Sequence, residues 1–338
     1  MYTETNRSLK EFNTFGVDAK ANQLVTITSV DELKQALISP EIKNNPWLVL
    51  GGGSNILFTR DFDGAVILNR IKGVEKIRED ENYVWIKAGS GEVWHELVMW
   101  CVERNYGGIE NLSLIPGCVG AGPIQNIGAY GVEIKDVLEA VEVLMIDDGT
   151  LLTLSNAECL FGYRDSIFKN QLRGKCIIVS VVLKLSKKTE VNTTYGAIKQ
   201  ELEEAGIHNP GIRDVGEAVI RIRKSKLPDP SRLGNAGSFF KNPEVEKEFF
   251  DELKNEFEKI PGFEQASGKI KIPAGWLIEQ CGLKGVRVGN TGTHKDQALV
   301  IVNYGNASGK EILDFADSVI EKVKNKFSIN LEKEVNII

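Results

Sequence analysis

The chain has 338 residues, of which 42% are hydrophobic and 26% charged, a globular balance that is long enough for two or three domains. Its formal net charge of −6 and the absence of a long Lys/Arg run argue against nucleic acid as a partner. No apolar run reaches the ~20 residues of a membrane span, and the N-terminal "MYTETNRSLKEF" lacks a signal-peptide core, so the sequence predicts a cytoplasmic protein without a membrane segment.

Strands are predicted for most of the chain up to about residue 190. Apolar runs bounded by Gly, Asn or Ser indicate strands at 23–29, 47–50, 64–69, 83–90 and 176–186, and a hairpin at 140–155 around an Asp-Gly turn. Helical spacing of apolar residues indicates a helix at 31–37, capped by Ser29 or Asp31, and another at 92–105, ended by Asn105 and a glycine pair.

Helices are predicted to dominate after residue 190. Helical spacing is found at 195–206, 216–226, 245–259, 274–282 and 309–327, and strands are indicated at 297–303 and 329–338. The segment 225–237 is rich in Pro, Gly and Ser and is predicted to be an ordered functional loop. A β-rich first domain followed by a mixed α+β domain is the simplest division.

Cysteine and histidine are sparse and dispersed. No CxxC spacing occurs among the five cysteines, Cys101, Cys118, Cys159, Cys176 and Cys281. The three histidines, His95, His208 and His294, share no metal-ligand spacing. This pattern predicts neither a disulfide framework nor a bound metal.

Two glycine-rich segments are candidates for a cofactor wall. "LGGGSN", residues 50–55, follows a strand, and its backbone amides can approach a ligand closely and cradle a phosphate. It is neither a P-loop nor a GxGxxG fingerprint, and a flexible turn is the alternative. "IPGCVGAGPIQNIGAYG", residues 115–131, has spacers that pack or hydrogen-bond, which favours a cofactor wall over an ordered structural loop.

Several single residues carry chemistry only in combination with others. Arg164 in "FGYRDSIFK" could form a surface ion pair with Asp165, and Tyr195 in "TTYGA" alone indicates the start of a helix. Glu332 and Glu334 in "LEKEV" would lie on one face of a strand, where a solvated acidic edge is the alternative to catalysis.

Together these segments resemble the UDP-N-acetylenolpyruvoylglucosamine reductase family of bacterial cell-wall synthesis, in the longer of its two types. The resemblance covers nearly the whole chain, in the family's order, through "NTFG" at Asn13, "LGGGSN", "IPGCVGAGPIQNIGAYG", "FGYRDSIFK", "KLPDP", "NAGSFFKNP", "AGWLIEQCGLKG", "THKDQALVIVN" and "LEKEV". The chain departs from the family pattern at Cys118, Gly122, Lys333 and Asn336. None of the four residues is implied in the chemistry, so the implied reaction is the same. They concern only individual contacts with the substrate.

The resemblance implies an α+β fold, with an FAD-binding part of the p-cresol methylhydroxylase and vanillyl-alcohol oxidase type and a C-terminal α+β substrate domain. Subdomain 1 of the FAD-binding part would be 1–66, joined by the C-terminal strand 328–338; subdomain 2 would be 67–212, and the substrate domain 213–327. The implied cofactor is non-covalent FAD, with NADPH as co-substrate and the enolpyruvyl ether of UDP-N-acetylglucosamine as substrate. A monomer is expected.

Residue by residue, the resemblance implies that Ser238 donates the proton and that Arg164 and a protonated Glu334 stabilise the enol intermediate. Phe239 and Phe240 would anchor the turn that carries Ser238. The implied cofactor-binding residues are Gly51, Gly52, Gly53, Ser54, Asn55, Pro116, Gly117, Gly120, Gln125, Asn126, Gly128 and Ala129. The implied substrate-binding residues are Tyr130, Tyr195, Lys226, Asn242 and Gln297.

Two other functions remain open from the sequence. The first is an FAD oxidase of the same fold; such enzymes often attach flavin through histidine, yet neither His95 nor His294 follows a glycine-rich loop. The second is a nucleotide-sugar binding protein without catalysis, against which the presence of Ser238, Arg164 and Glu334 argues.

Overall fold

The computed structural model describes residues 1–188, 190–265 and 267–338. Its strands are β1 (Tyr2–Ser8), β2 (Lys20–Ile27), β3 (Trp47–Leu50), β4 (Ile56–Leu57), β5 (Phe62–Asn69), β6 (Val74–Glu79), β7 (Tyr83–Gly89), β8 (Gly128–Ala129), β9 (Val132–Glu133), β10 (Leu138–Met145), β11 (Leu151–Ser155), β12 (Cys176–Ser186), β13 (Gly234–Ser238), β14 (Glu244–Val245), β15 (Phe263–Glu264), β16 (Ile270–Lys271), β17 (Arg287–Val288), β18 (Thr291–Thr293), β19 (Val300–Asn303) and β20 (Asn336–Ile337). Its α-helices are α1 (Val30–Ile38), α2 (Pro40–Lys43), α3 (Trp94–Val102), α4 (Gly196–Glu204), α5 (Ile212–Lys226), α6 (Lys247–Glu256), α7 (Ala274–Gln280) and α8 (Gly309–Phe327).

The chain forms two compact units, each built from separate stretches of sequence. Unit 1 comprises Met1–Arg7, Ala21–Gly52 and Asp63–Ser225. Unit 2 comprises Ser8–Lys20, Gly53–Phe62 and Lys226–Ile338. The division into three domains at 1–66 with 328–338, 67–212 and 213–327 is not tested by these two units and stays a prediction.

Unit 1 contains two larger sheets. One is four-stranded in the order β1-β2-β5-β3, with β3 and β5 parallel. The other is five-stranded and antiparallel in the order β11-β10-β12-β7-β6. Its apolar face packs on α3, where the Trp94 indole is buried and donates from Nε1 to the Leu112 carbonyl at 3.0 Å. Burial of this face explains the apolar runs from which β7, β10 and β12 are predicted.

Unit 2 joins its three stretches around β13 and the long helix α8. The antiparallel sheet β13-β19-β18-β17 packs on α8, which begins at a capping box between Ser308 and Glu311. Phe15 contributes from the first stretch: its ring packs edge-on against Phe239 at 6.1 Å, and its carbonyl accepts from Asn303 Nδ2 at 2.9 Å. The small sheet β14-β16-β15 and the parallel pair β20-β4 complete the unit.

Most predicted helices and strands are confirmed, including α1, whose cap is Ser29: its Oγ accepts from the Glu32 N–H at 3.2 Å. The continuous strand predicted at 329–338 is wrong. Only Asn336–Ile337 is a strand, and Lys333 forms a single bridge with Phe240. Conversely, the end of the predicted loop 225–237 is part of β13, because pairing with β19 overrides the low strand propensity of glycine.

Candidate active site

In unit 1 the two glycine-rich segments meet. A Cβ built on Gly52 would lie 2.9 Å from the Gly117 Cα, and one on Gly51 would lie 3.1 Å from the Cys118 Cβ. A side chain at Gly52 would therefore push the segments apart. The sequence predicts each segment separately as a cofactor wall, and the structure shows that their backbones form one continuous surface.

A cavity of about 540 Å³ opens beside this surface. That volume lies within the range of roughly 300–1,000 Å³ that is usual for ligand pockets. Apolar side chains of β3 and β12 form much of its wall, and backbone from both glycine-rich segments forms another part. The lining residues, all in unit 1, are Trp47, Leu48, Val49, Gly51, Asn69, Ser90, Cys118, Gly120, Ala121, Ile124, Ile146, Phe168, Leu172, Gly174, Cys176, Ile177 and Ile178.

Two buried polar residues in the cavity wall were not predicted as site residues. Asn69 Nδ2 donates to Ser90 Oγ at 2.8 Å, and the Ser90 carbonyl accepts from the Gly120 N–H at 2.9 Å. Nearby, Arg70 donates from Nη1 to the Gly51 carbonyl at 3.1 Å. These bonds fix both glycine-rich segments to the ends of β5 and β7. The available signal was the Gly-Ser-Gly that ends the strand at 83–90.

The later part of the 115–131 segment holds Arg164. Arg164 donates from Nη2 to the Gly128 carbonyl at 2.8 Å and from Nη1 to the Asn126 carbonyl at 3.4 Å. Asn126 is itself buried, and its Nδ2 donates to Glu133 Oε2 at 2.9 Å and to the Gly162 carbonyl at 3.0 Å. Arg164 has φ of +52°, a left-handed conformation that is uncommon outside glycine. The candidate catalytic arginine is thus oriented by backbone of the predicted cofactor wall.

Gly128→Ala is expected to lower the turnover rate by displacing Arg164. A Cβ there would lie 2.8 Å from Glu133 Cγ and 3.3 Å from Arg164 Nη1. Since a misplacement of about 1 Å in a positioned catalytic group can cost about 10²-fold, kcat per bound FAD should fall by about that factor; FAD content should fall as well, because Gly128 is predicted to bind the cofactor. Gly211→Ala is the control, because its Cβ would make only an ordinary contact, 3.6 Å from Asp214 Oδ2. A wild-type kcat for Gly128→Ala would contradict the role of Arg164.

Tyr130 and Tyr195, both predicted to bind substrate, contact each other in unit 1. Their rings pack edge-on with centroids 5.2 Å apart. Tyr130 follows β8 with φ of +51°, and its carbonyl accepts from Asn111 Nδ2 at 3.0 Å. Tyr195 precedes α4 and is 48% exposed. The pair therefore combines Tyr130, whose backbone is held by Asn111, with the accessible phenol of Tyr195.

In unit 2 Ser238 is an exposed residue backed by two buried rings. Phe239 and Phe240 are 0% and 1% exposed, and their rings pack on each other at 5.2 Å. The β13–β19 register shifts between Asn235, which pairs with Val302, and Ser238, which pairs with Val300. A regular strand would place Ser238 opposite Leu299, so this bulge re-aims its side chain.

The turn before Ser238 is held by Asn235. The buried Asn235 side chain accepts from the Gly237 N–H at 3.0 Å and donates from Nδ2 to the carbonyls of Leu233, at 2.8 Å, and Pro228, at 3.2 Å. It thereby ties the "KLPDP" segment to the bulge. Gly237 has φ of +70°, which only glycine adopts without strain.

Glu334 is brought to the same place by backbone pairing. Its N–H donates to the Phe239 carbonyl at 2.8 Å, one residue after Ser238. The Glu334 carbonyl accepts from Asn55 Nδ2 at 3.3 Å. The structure thus brings together two of the three predicted catalytic residues, while Arg164 belongs to unit 1.

The remaining predicted residues of unit 2 form two groups. Asn242 Oδ1 accepts from the Ala274 N–H at 2.9 Å, and Gln297 Oε1 lies 3.3 Å from a Cβ built on Gly275, so both lie at the first turn of α7. Lys226 is the exposed last residue of α5.

Gly53 packs closely against Phe12. A Cβ on Gly53 would lie 1.9 Å from the Phe12 carbonyl oxygen, and Gly53 has φ of +59°. This close approach and the left-handed backbone both require glycine. The third glycine of the "GGG" run therefore has a packing role in unit 2.

The departures from the family pattern have identifiable surroundings. Cys118 is buried in the cavity wall, and burial raises the pKa of its thiol. Gly122 is tightly packed, since a Cβ there would lie 2.9 Å from Ile134 Cδ1. Lys333 pairs with Asp317 at 2.6 Å, and Asn336 Nδ2 donates to the Asn55 carbonyl at 2.9 Å.

Two features are absent from the part of the chain that the structure describes. No group of three or more His, Cys, Asp or Glu side chains there could hold a metal ion. Likewise, no helix in the described ranges is long and apolar enough to cross a membrane.

Two parts of the chain match models of known protein families. Residues 229–338 match the family model for the C-terminal domain of UDP-N-acetylenolpyruvoylglucosamine reductase, and residues 21–155 match an FAD binding domain. Curated proteins named UDP-N-acetylenolpyruvoylglucosamine reductase are 50% identical in Flavobacterium johnsoniae and 48% identical in Amoebophilus asiaticus, each over 100% of both chains. The crystal structure of the reductase from Thermus caldophilus is 28% identical, with a TM-score of 0.66 over 99% of this chain and 98% of that one. The predicted α+β fold class, with an FAD-binding domain and a C-terminal domain, is confirmed.

Proposed function

This chain belongs to the UDP-N-acetylenolpyruvoylglucosamine reductase family, and from that premise we propose that it reduces the enolpyruvyl ether of UDP-N-acetylglucosamine with NADPH as the reductant and Ser238 as the proton donor. The family establishes the broader activity, an FAD-dependent oxidoreductase that serves UDP-N-acetylmuramate and peptidoglycan synthesis. The observation that supports the finer proposal is the exposed Ser238, backed by two buried rings and adjacent to the backbone bond with Glu334.

The residues of unit 1 fit FAD. The paired glycine backbones leave room for close approach of a diphosphate, and the adjoining cavity has an apolar wall suited to a flat ring. We assign cofactor binding to the backbones of Gly51, Gly52, Gly117 and Gly120, with Asn69 and Ser90 supporting them. When bound, this cofactor supplies hydride transfer, from NADPH to the methylene carbon of the enolpyruvyl group.

Ser238 supplies the proton that completes the reduction. After hydride addition, negative charge collects on the carbon next to the methylene and on its carboxylate. A serine hydroxyl is a weak acid, but a carbanion-like enolate is a strong enough base to take its proton when the two are within hydrogen-bond distance. The buried Phe239 and Phe240 hold the backbone of this turn, so the hydroxyl is positioned before substrate binds.

Arg164 and Glu334 stabilise the enol in this proposal. The Arg164 guanidinium, fixed by the Asn126 and Gly128 carbonyls, provides positive charge for the developing enolate. Glu334 acts in its protonated form, as a hydrogen-bond donor to the same charge. Tyr130, Tyr195, Lys226, Asn242 and Gln297 bind the nucleotide sugar.

The direct test mixes purified protein with NADPH and the enolpyruvyl nucleotide sugar and follows the loss of NADPH absorbance. NADPH should be consumed in proportion to UDP-N-acetylmuramate formed, and heat-denatured protein should release FAD. Flavin that stays attached to the denatured protein would point to the oxidase alternative. Binding of the sugar nucleotide without turnover would point to an inactive binding protein.

Tyr195→Phe and Lys226→Ala are expected to weaken substrate binding more than they slow flavin reduction by saturating NADPH. Lys226 should contribute a charged hydrogen bond to the diphosphate, which is worth roughly 1.5–3 kcal/mol, or roughly ten- to hundredfold in affinity. Both residues are exposed, so their replacement should leave the fold intact. The control is Lys199→Ala, an exposed lysine of α4 that only pairs loosely with Glu203 at 3.9 Å. An unchanged KM for the sugar nucleotide in both variants would contradict the assignment.

A further inference from the structure

Glu133 binds the residue that supplies one of the acceptors for Arg164. Asn126, whose carbonyl accepts from Arg164 Nη1, is buried and has φ of +47°. Asparagine tolerates this left-handed conformation, but surrounding contacts have to hold it there. Its Nδ2 donates to Glu133 Oε2 at 2.9 Å and to the Gly162 carbonyl at 3.0 Å, and its Oδ1 accepts from the Lys135 N–H at 3.2 Å. The bond to the Glu133 carboxylate is charge-assisted and is therefore the strongest of the three.

The Glu133 side chain is itself fixed, and it also lies against the second acceptor. Its carboxylate accepts from the Asp136 N–H, while the Glu133 N–H donates to Asp136 Oδ2 at 2.8 Å, which forms a capping box. The β8–β9 pair places Glu133 opposite Gly128, whose carbonyl accepts from Arg164 Nη2. A Cβ built on Gly128 would lie 2.8 Å from Glu133 Cγ. Glu133 therefore supports both carbonyls that bind the guanidinium.

Lys169 holds the backbone of Arg164. The φ of +52° at Arg164 is unfavourable for a residue that has a Cβ, so this conformation also needs support. Lys169 Nζ supplies it by donating to the Arg164 carbonyl at 2.9 Å. The 3₁₀ turn Ile167–Lys169 begins at the buried Ser166, whose Oγ donates to the Ile124 carbonyl at 2.6 Å. The ammonium thus reaches Arg164 from a turn that is bonded to the 115–131 segment.

We infer that Glu133 and Lys169 are positioning residues for Arg164. Glu133 fixes the acceptors of the guanidinium, and Lys169 fixes the backbone that carries it. The inference rests on the proposed function, in which Arg164 stabilises the developing enolate. Electrostatic stabilisation of this kind depends on donors that are oriented before the reaction begins. Both residues act through Arg164, so neither needs to contact substrate or cofactor.

The test measures the two half-reactions separately by stopped flow, with saturating FAD and per bound FAD. Glu133→Ala and Lys169→Met should slow reoxidation of NADPH-reduced protein by the sugar nucleotide by up to about 10²-fold, the cost of a misplacement of about 1 Å. Flavin reduction by NADPH should stay near wild type. Glu133→Gln should lose less, because an amide oxygen can accept two of the three bonds that the carboxylate accepts. Lys169→Arg keeps a cationic donor and should also lose less.

A control and a double-mutant cycle make the result specific. Lys135→Ala removes the partly exposed ion pair with Glu133, 2.7 Å long, but keeps the backbone bond to Asn126. It should react like wild type, since such pairs contribute little. In an Arg164→Met background neither Glu133→Ala nor Lys169→Met should slow reoxidation further, because both act through Arg164.

The outcomes separate this inference from the proposed function. If the sugar nucleotide does not reoxidise reduced wild-type protein, the proposed function fails and the inference fails with it. If wild type reacts but Glu133→Ala and Lys169→Met react equally fast, only the positioning roles are overturned. Equal slowing of both half-reactions, or a full further loss in the Arg164→Met background, would overturn them as well. Should Glu133→Ala or Lys169→Met fail to fold or to bind FAD, Glu133→Gln and Lys169→Arg decide by the same ratio of rates.

Discussion

Replacing Ser238 by alanine is expected to slow reduction of the enolpyruvyl group by at least the ~10²–10⁴-fold typical of a lost general acid. FAD binding and NADPH oxidation should stay near wild type, because the hydroxyl has no part in hydride arrival at the cofactor. The fold should also persist, since Ser238 is exposed and one lost hydroxyl costs only about 1 kcal/mol. The measurement is stopped-flow reoxidation of NADPH-reduced protein by the sugar nucleotide.

Two further variants make the Ser238 result specific. Ser238→Cys should recover part of the rate, because a thiol of similar size also carries a transferable proton. Ser231→Ala, at an exposed serine whose Oγ donates to Asp229 Oδ1 at 2.8 Å, should react at the wild-type rate. A wild-type rate for Ser238→Ala, with normal product stereochemistry, would assign the proton to Glu334 or water.

Gly52→Ala is expected to yield protein that purifies with little FAD. The added methyl would lie 2.9 Å from the Gly117 Cα and 3.4 Å from its carbonyl carbon, and both are backbone atoms that no side-chain rotation can move. Overpacking of this kind typically costs about 1–3 kcal/mol, and here the strain falls on the surface assigned to the cofactor. The flavin-to-protein ratio after gel filtration, and the Kd for added FAD, measure the effect.

The matched control is Gly216→Ala, within α5. A methyl there would make ordinary contacts at 3.5 Å with Ser113 Oγ and 3.7 Å with Val102 Cγ2. Its FAD content should equal that of wild type. Full retention of FAD by Gly52→Ala would mean that the contact between the two glycine-rich segments does not shape the cofactor site.

The family, the fold class and most regular elements were predictable because long, unusual motifs and apolar periodicity are local signals. β1 and β6 were not predicted, since most of their residues are exposed and show no alternation. The bulge in β13 and the short final strand depend on pairing with distant segments, β19 and residues 55–57, which a local pattern cannot report.

The residues of the candidate site also divide into those that have a local sequence signal and those that do not. Gly51, Gly117 and Ser238 stand out through composition, since small residues cluster around them. Asn69 does not, because a single asparagine at the end of a predicted strand is common, and only its bond to Ser90 in the cavity wall distinguishes it. Glu334 was identifiable only through the family motif, since its backbone bond to Phe239 spans distant parts of the sequence.

The discontinuous composition of unit 2 has a consequence for how the protein acquires its site. Residues 8–20 and 53–62 contact each other, for example where the Thr14 N–H donates to the Gly53 carbonyl at 3.0 Å, but the rest of unit 2 lies from residue 226 onwards. Closing the long loops that separate these stretches slows folding. A fragment limited to 229–338, the extent of the matched C-terminal domain, would lack Phe15 and so expose one side of Phe239 and leave Asn303 Nδ2 without its acceptor. We expect such a fragment to aggregate or remain partly unfolded. The C-terminal domain is therefore contiguous as a sequence family, but we expect that it does not fold independently when excised at residues 229–338.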